Sequence, residues 1–206
     1  MTLFGITGGV GMGKSTAGLL LRQRGVEVTD TDVIAHELTE PGQPVLREIA
    51  QRFGRAVFSA DGRLNRPALA QVAFADSSAR ADLEAILHPR IRAAWQAQAL
   101  AWRAAGRPCA AVVIPLLFET GAEPLFDAII CVACTRALQW RRLSGRGWTN
   151  DQIRRRLEAQ WPVEEKITRA DFVAWTETTL EALAAQLERV VFHRPLTSSA
   201  ASGAPV

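Results

Sequence analysis

A run of eight residues near the N-terminus has the composition and spacing of a phosphate-binding loop. Its sequence is Gly8-Gly9-Val10-Gly11-Met12-Gly13-Lys14-Ser15, which matches the pattern G-x-x-x-x-G-K-[ST]. Glycines let a backbone curl until successive N–H groups point at phosphate oxygens, and a helix that follows adds the positive end of its dipole. The pattern therefore predicts a cradle for the phosphate chain of a nucleotide.

The polar residues that close this loop have distinct expected roles. Lys14 would reach the β- and γ-phosphates, the Ser15 hydroxyl would ligate Mg²⁺, and Thr16 would help to hold the phosphates beside it. The alternative is a glycine-rich turn that ends in a capping serine. A strand before the loop and a helix after it favour the phosphate-binding interpretation.

Two acidic residues form a second candidate centre. The segment Thr29-Asp30-Thr31-Asp32 follows the second predicted strand, at the edge of the sheet where open α/β folds bind ligands. Either carboxylate could act on Mg²⁺ or hold an acceptor hydroxyl in line with the γ-phosphorus. Asp32 could equally be the N-cap of a helix over residues 33–38, and the residues alone leave these alternatives open.

Apolar runs separated by helical patterns predict an α/β fold with a parallel sheet of about five strands. The predicted strands cover residues 3–7, 26–29, 110–114, 128–133 and 171–175. The stretch between the second and third strands is longer than the dozen or so residues of a simple crossover. We expect a helical insertion there, over residues 40–106, that walls a substrate site, with its last helix broken or kinked at Pro89.

The C-terminal third of the chain is predicted to be mostly helical. A basic lid is expected over residues 136–165, with two helices joined by a mobile turn that contains Gly145 and Gly147. A closing helix is expected over residues 180–191, and residues 195–206 have the composition of a flexible tail. Residues 1–194 are therefore predicted to form one domain.

The overall composition narrows the class of protein. The chain has 206 residues, of which 48% are hydrophobic and 22% are charged, as in one compact soluble domain. No apolar run approaches the roughly 18 residues of a membrane span, and the N-terminus has no signal pattern, so we expect a cytoplasmic protein without a membrane partner. The net charge of +3 is small for this length and gives no indication of nucleic-acid binding.

Three cysteines raise the question of metal or redox chemistry. Cys131 and Cys134 have C-x-x-C spacing, and Cys109 lies apart from them. The pair belongs to an apolar run typical of a buried strand, where residues three apart point to opposite faces. No second pair completes a four-ligand zinc site, so we expect buried structural thiols.

Several blocks along the chain match, in order, those of one kinase family. The blocks are Gly5-Ile6-Thr7-Gly8-Gly9-Val10-Gly11, Asp30-Thr31-Asp32-Val33-Ile34-Ala35-His36, Asp61-Gly62-Arg63-Leu64-Asn65-Arg66, Leu83-Glu84-Ala85-Ile86-Leu87-His88-Pro89, Pro115-Leu116-Leu117-Phe118-Glu119, Gln160 and Lys166-Ile167-Thr168-Arg169-Ala170-Asp171. On these blocks the chain resembles the dephospho-coenzyme A kinase family of P-loop kinases over roughly residues 3 to 190.

The resemblance implies a P-loop NTPase three-layer fold and phosphorylation of the ribose 3′-hydroxyl of dephospho-coenzyme A. ATP and dephospho-coenzyme A would be the small-molecule substrates, Mg²⁺ the cofactor, and a monomer or weak homo-oligomer the assembly. The resemblance implies that Asp32 is the catalytic base and that Arg142 and Arg146 of the lid meet the phosphates. It also places His88 and Leu117 at the acceptor substrate, with His88 in a structural role.

The chain departs from this family near the end of the fifth strand. The family usually has an Asn and a Gly there, where its backbone lies against adenine, whereas this chain has Ala174-Trp175-Thr176-Glu177-Thr178. Trp175 could stack on the base or pack in the core, and we expect packing. Gly147 also replaces the acidic residue that usually follows the lid arginine, which predicts a different lid geometry.

Some alternatives remain open from the sequence. Glu119 could anchor a Mg²⁺-bound water or simply begin the loop before Gly121. A kinase of another small molecule such as a nucleoside monophosphate, a GTP-hydrolysing switch, and an inactive nucleotide-binding protein would all contain a phosphate-binding loop. The absence of an Asn-Lys-x-Asp signature in the sequence argues against the GTP switch.

Overall fold

The computed structural model describes residues 1–193, except for the side chain of Phe74, and its centre is a five-stranded sheet. The strands are β1 (Thr2–Thr7), β2 (Glu27–Asp30), β3 (Cys109–Val113), β4 (Ala128–Ala133) and β5 (Phe172–Trp175). Their order is β2-β3-β1-β4-β5, and every pairing is parallel. The predicted α/β fold with a five-stranded parallel sheet is confirmed, and the predicted tail over residues 195–206 lies outside the described residues.

Helices cover both faces of the sheet, which is why its central strands are almost continuously apolar. On one face, side chains of β1, β3 and β4 pack with α1 (Lys14–Gln23) and α9 (Leu180–Phe192). On the other face, the same strands pack with α2 (Thr31–Leu38) and the second half of α5 (Ser77–Ala104). All strands are parallel, so their carboxyl ends meet at one edge.

The phosphate loop lies at this edge because glycines permit its path. Gly8 has φ of 142°, and a Cβ on it would collide with the carbonyl oxygen of Val132 in the neighbouring strand. Gly13 has φ of 93° and precedes α1 as its N-cap. Both positions require glycine, and α1 therefore starts at Lys14 with its N-terminus beside the loop.

The insertion between β2 and β3 consists of α3 (Val45–Phe53), a 3₁₀ turn over Arg55–Val57, α4 (Arg66–Ala75) and α5. Of the predicted break or kink at Pro89, the break is wrong, because α5 continues through this residue from Ser77 to Ala104. A proline inside a helix costs about 3 kcal/mol. Packing offsets that cost, since side chains before Pro89 join the core of the insertion and side chains after it join the core beneath the sheet.

Three helices follow β4 and connect it with β5. They are α6 (Arg136–Ser144), α7 (Asn150–Glu158) and α8 (Val163–Arg169). The two helices predicted within the lid correspond to α6 and α7, whereas α8 was not predicted. None of the helices within residues 1–193 is long and apolar enough to cross a membrane.

The three cysteines are buried and form no disulfide. Burial raises the pKa of the Cys131 thiol to about 11 and also raises the pKa of Cys134. A raised pKa keeps a thiol protonated and unreactive. The prediction of structural thiols agrees with this arrangement.

Candidate functional site

A cavity of about 480 Å³ opens at the carboxyl edge of the sheet. Five parts of the chain wall it: the phosphate loop with the start of α1, the start of α2, one side of α5, the loop after β3, and the lid between β4 and β5. Ligands of open α/β sheets bind at this edge. The cavity therefore brings together the phosphate loop and the acidic segment that the sequence placed after two different strands.

Lys14 lines this cavity, and its ammonium group is turned back onto the loop. Its Nζ donates to the carbonyl oxygens of Gly8 and Gly9, each at 3.0 Å. Burial lowers the pKa of Lys14 to about 8, although the nearby Asp32 carboxylate opposes this shift. A phosphate chain would restore the positive charge, because an anion close to an ammonium group favours its protonated form.

Most, but not all, of the predicted phosphate-binding residues line the cavity. Val10, Gly11, Gly13, Lys14, Ser15 and Thr16 do so. Gly9 and Met12 are buried residues of the same loop, and they line a separate cavity of about 550 Å³.

The apex of the phosphate loop is held from both sides by glutamines. The Val10 N–H donates to Gln160 Oε1 at 2.9 Å, and Gln139 Nε2 donates to the Val10 carbonyl at 2.8 Å. Gln139 belongs to α6 and Gln160 follows α7, so both ends of the lid are hydrogen-bonded to the loop. The Val10 N–H is thereby engaged by the protein, and so is the Met12 N–H, which donates to the Gly9 carbonyl at 3.2 Å.

The two aspartates at the β2–α2 junction have different positions. Asp30 is the N-cap of α2, because its Oδ1 accepts the N–H of Asp32 at 2.9 Å. Asp32 is the second residue of the helix, and its side chain lines the cavity. The capping role that the sequence left open for Asp32 therefore belongs to Asp30, and the Asp32 carboxylate is available to a ligand.

The pKa of Asp32 is raised above its ordinary value. Its loss of hydration in the cavity contributes most, the Asp30 charge adds to the shift, and Lys14 opposes it. A carboxylate with a raised pKa is a better proton acceptor than an ordinary one. Asp32 and Lys14 influence each other's protonation, which shows that the phosphate and acidic centres form one electrostatic unit.

Of the two residues predicted to meet the acceptor, His88 lines the cavity and Leu117 does not. His88 lines the cavity from α5, and burial lowers its pKa, which favours a neutral imidazole at neutral pH. Leu117 is completely buried and packs in the core beneath the sheet. The prediction that Leu117 contacts the substrate is wrong for this structure, since its neighbours Pro115 and Leu116 line the cavity instead.

The predicted lid arginines also differ in their positions. Arg146 is exposed and lines the cavity. Arg142 instead donates to Thr176, from Nη1 to Oγ1 at 2.8 Å and from Nη2 to the carbonyl oxygen at 2.7 Å. This fork of hydrogen bonds holds the Arg142 guanidinium against the loop after β5, away from the walls of the cavity.

Several cavity residues were missed by the sequence analysis. Glu84, Ile91, Arg92 and Trp95 lie with His88 on the cavity side of α5, and their spacing of three, four or seven residues was the signal that could have revealed them. Arg156 reaches the cavity from α7, with its guanidinium 4.4 Å from the centre of the Trp148 ring. No local pattern distinguishes Arg156 from its arginine neighbours on α7.

Glu119 has a structural environment that neither sequence hypothesis described. Its Oε1 lies 2.7 Å from Lys166 Nζ and accepts the Trp161 N–H at 2.9 Å. Lys166 is completely buried. Glu119 therefore joins α8 and the end of the lid to the loop after β3, and it does not line the cavity.

Trp175 is 43% exposed at the end of β5 and belongs to none of the core clusters of the described residues. The expectation of core packing for Trp175 is therefore wrong. The preceding Ala174 points into the core instead, because successive side chains of a strand alternate between its faces.

The donors beside the phosphate loop fit a magnesium ion that arrives with a nucleotide. The Ser15 hydroxyl and the Asp32 carboxylate both line the cavity, and Mg²⁺ prefers such oxygen ligands. Within residues 1–193, no group of three His, Cys, Asp or Glu side chains could hold a metal ion by itself.

Solved structures with related folds agree with this architecture. A crystal structure of a Thermus thermophilus protein matches with a TM-score of 0.80 at 34% sequence identity, and the match covers 94% of this chain and 98% of that one. The dephospho-CoA kinase from Campylobacter jejuni matches with a TM-score of 0.67 at 24% identity, covering 92% and 94% of the two chains. The second match is evidence for the fold alone.

Sequence comparisons give the family. The model of the dephospho-CoA kinase family matches residues 2–181. The dephospho-CoA kinase of Anaeromyxobacter dehalogenans is 45% identical over 192 residues, which cover 93% of this chain and 91% of that protein. The dephospho-CoA kinase of Bdellovibrio bacteriovorus is 38% identical over 191 residues, which cover 93% and 95% of the two chains. With a phosphate loop and an aspartate facing one cavity, and with matches along nearly its full length, this chain belongs to the dephospho-CoA kinase family.

Proposed function

We propose that this enzyme transfers the γ-phosphoryl group of ATP to the ribose 3′-hydroxyl of dephospho-coenzyme A, giving ADP and coenzyme A. The observation that carries the proposal is the shared cavity of Lys14 and Asp32. Lys14 belongs to a loop suited to the phosphates of the donor, and Asp32 supplies a carboxylate suited to the hydroxyl of an acceptor. Phosphoryl transfer needs these two functions on either side of one phosphorus atom.

The donor end of the cavity supplies positive charge and N–H groups. Gly11, Gly13 and the first turn of α1 line the cavity at the N-terminus of a helix, which favours anions. The Lys14 ammonium would exchange its two carbonyl partners for phosphate oxygens. Arg146 of the lid would approach the same phosphates from the solvent side, where its guanidinium fork suits two oxygens at once.

The acceptor end is set by the start of α2. The Asp32 carboxylate would accept a hydrogen bond from the 3′-hydroxyl and aim its oxygen at the γ-phosphorus. As the new O–P bond forms and the bond to the ADP oxygen breaks, the hydroxyl proton would pass to Asp32. The raised pKa of Asp32 favours this transfer.

The Ser15 hydroxyl would ligate Mg²⁺, and the Asp32 carboxylate lines the same cavity. When bound, the ion neutralises charge on the β- and γ-phosphates. The α5 wall, with Ile91 and Trp95 beside His88 and Arg92, offers apolar surface and polar groups to the rest of the acceptor. This mixture suits a substrate with a nucleoside at one end and a long thiol-containing arm at the other.

The direct test is ADP release in the presence of MgATP and one of three additions: dephospho-coenzyme A, AMP, or no acceptor. We expect rapid, stoichiometric ADP release with dephospho-coenzyme A alone. Periodate cleaves a free ribose diol, so the ribose ring of the product should resist cleavage by periodate while that of dephospho-coenzyme A does not. An analogue that lacks the 3′-hydroxyl should not be phosphorylated. Faster turnover with AMP, or equal ADP release without an acceptor, would contradict the proposal.

A further inference from the structure

Thr176, in the loop after β5, contacts three parts of the nucleotide site although it does not line the cavity. Its hydroxyl donates to the Met12 carbonyl of the phosphate loop at 3.0 Å. The same hydroxyl accepts from Arg142 Nη1 at 2.8 Å. Its backbone N–H donates to the Ala133 carbonyl at the end of β4, at 2.9 Å. Thr176 is buried, so these bonds are protected from competing water.

The contact with Met12 determines how the next peptide group is turned. In a trans peptide unit the C=O and the following N–H lie in one plane and point in opposite directions. With the Met12 carbonyl drawn toward Thr176, the Gly13 N–H points to the other side. Gly13 lines the cavity, so Thr176 sets the direction of an amide that immediately precedes Lys14.

The Thr176 methyl group fixes the same peptide sterically. A Cβ placed on Gly13 would lie 3.2 Å from Thr176 Cγ2, which shows that the methyl packs directly against this glycine. Gly13 has a positive φ of 93°, and a flexible glycine loses its freedom when a neighbour packs on it. The hydroxyl and the methyl of Thr176 therefore act on one turn of the loop.

The contact with Arg142 fixes the lid arginine. Arg142 binds both the hydroxyl and the carbonyl oxygen of Thr176, and its Nη1 also lies 3.5 Å from the Gly11 carbonyl. A guanidinium held at two points has a defined plane and direction. Thr176 thus connects the base of the lid to the turn of the loop that precedes α1.

We propose that Thr176 is a positioning residue of the nucleotide site, whose side chain orients the Met12–Gly13 peptide and holds Arg142 beside the phosphate loop. Thr176 acts through these groups and does not touch the reacting atoms. The proposal rests on the assignment of ATP to the phosphate loop. It does not depend on which acceptor the enzyme phosphorylates.

The test compares Thr176→Val, which keeps the shape but removes the hydroxyl, with Thr176→Ser, which keeps the hydroxyl. ATP affinity is measured by calorimetry with MgATP and no acceptor, and kcat is measured at saturating ATP. We expect Thr176→Val to bind ATP about tenfold more weakly. This is the size of effect expected if the Gly13 N–H loses one hydrogen bond to a charged phosphate. Its kcat should stay within about twofold of the wild-type value. Thr176→Ser should bind ATP with an affinity within about twofold of that of the wild type.

The matched control is Thr39→Val, at another buried threonine. The Thr39 hydroxyl donates to Ala35 O at 2.8 Å and accepts from Arg66 at 2.7 Å, outside the phosphate loop. Thr39→Val should lower the melting temperature without changing ATP affinity. If Thr176→Val does not fold, Thr176→Cys, with a similar volume and only a weak donor, takes its place with the same expectation.

Three results would overturn the proposal. The first is an ATP affinity of Thr176→Val within about twofold of the wild-type value. The others are an equal loss of ATP affinity in Thr39→Val, or an equal loss in Thr176→Ser. A wild-type enzyme that binds ATP as expected but does not phosphorylate dephospho-coenzyme A would instead contradict the proposed function. The two failures are therefore distinguishable.

Discussion

Lys166 Nζ lies 2.7 Å from Glu119 Oε1 in an ion pair whose lysine side chain is completely buried. Lys166 also donates to the Pro115 carbonyl at 2.9 Å, and Pro115 lines the cavity. The second oxygen of Glu119 is buried and has no hydrogen-bond partner among residues 1–193. The pair therefore fixes the loop after β3 and depends strongly on both charges being present.

We expect Lys166→Met to destabilise the protein by about 3–5 kcal/mol, because it leaves the Glu119 charge buried and unpaired. Glu119→Gln combined with Lys166→Met removes both charges and retains an oxygen for the Trp161 N–H. The double variant should recover most of the lost stability. Urea unfolding at constant pH measures both changes. A double variant that is less stable than Lys166→Met would contradict this account of the pair.

Asp32 and Asp30 give a matched pair of variants on one turn. We expect Asp32→Asn to lower kcat by roughly 10²–10⁴-fold, as for the loss of a general base, with little change in ATP affinity. Asp30→Asn keeps a good N-cap residue, so stability and kcat at neutral pH should be nearly unchanged. Turnover with dephospho-coenzyme A and ATP binding by calorimetry separate the two effects.

Asp30→Asn has a further expected consequence for the pH profile. The Asp30 charge helps to raise the pKa of Asp32, so its removal should lower that pKa. Because activity is lost as pH falls through the Asp32 pKa, the acidic limb of the kcat profile should move to lower pH. If Asp30→Asn strongly lowered kcat and Asp32→Asn left kcat nearly unchanged, the roles of the two aspartates would be reversed.

The lowered pKa of Lys14 makes ATP binding pH-dependent. The nucleotide-free pKa is about 8, and the bound triphosphate should raise it. Above pH 8 the free enzyme loses the proton that the complex needs, so ATP affinity should decrease and binding should take up protons. Calorimetry in buffers of different ionisation enthalpy measures this uptake. Lys14→Met should abolish it, and equal uptake in that variant would contradict the assignment.

The same pKa has an opposite effect on the stability of the nucleotide-free protein. The folded-state pKa of about 8 lies below the ordinary value of 10.5, so between these pH values the unfolded chain binds more protons. The contribution of Lys14 to stability should therefore increase from pH 8 to pH 10.5. Denaturant unfolding of wild type and Lys14→Met over this range isolates the contribution, because the variant lacks it.

Arg156 and Arg155 are neighbours on α7 with different surroundings. Arg156 lines the cavity over the Trp148 ring, and burial lowers its pKa, whereas the Arg155 side chain is exposed and does not line the cavity. We expect Arg156→Gln to lower kcat/KM about tenfold or more, since a charge-assisted hydrogen bond contributes about 1.5–3 kcal/mol. Arg155→Gln should have little effect. Equal losses would indicate that only net charge of the lid matters.

The sequence by itself determined the central unit of the fold and the donor end of the site. Glycines at fixed spacing before Lys14 specify a loop conformation through their own φ angles, which needs no distant partner. Continuous apolar strands alternating with helices specify a parallel sheet. Because parallel strands end at one edge, the sequence could also place Asp30 and Asp32 close to the phosphate loop.

Only the tertiary structure decided which of several equivalent side chains faces the cavity. Asp30 and Asp32 have the same chemistry, and the geometry of the β2–α2 turn made one the cap and left the other free. Leu116 and Leu117 were separated by the core, and Pro89 remained helical because both halves of α5 are packed. Thr176 and Met12 are 164 positions apart in the chain. Local propensity carries no information about such a pair, since their contact exists only after the sheet has brought β1 and β5 into one layer.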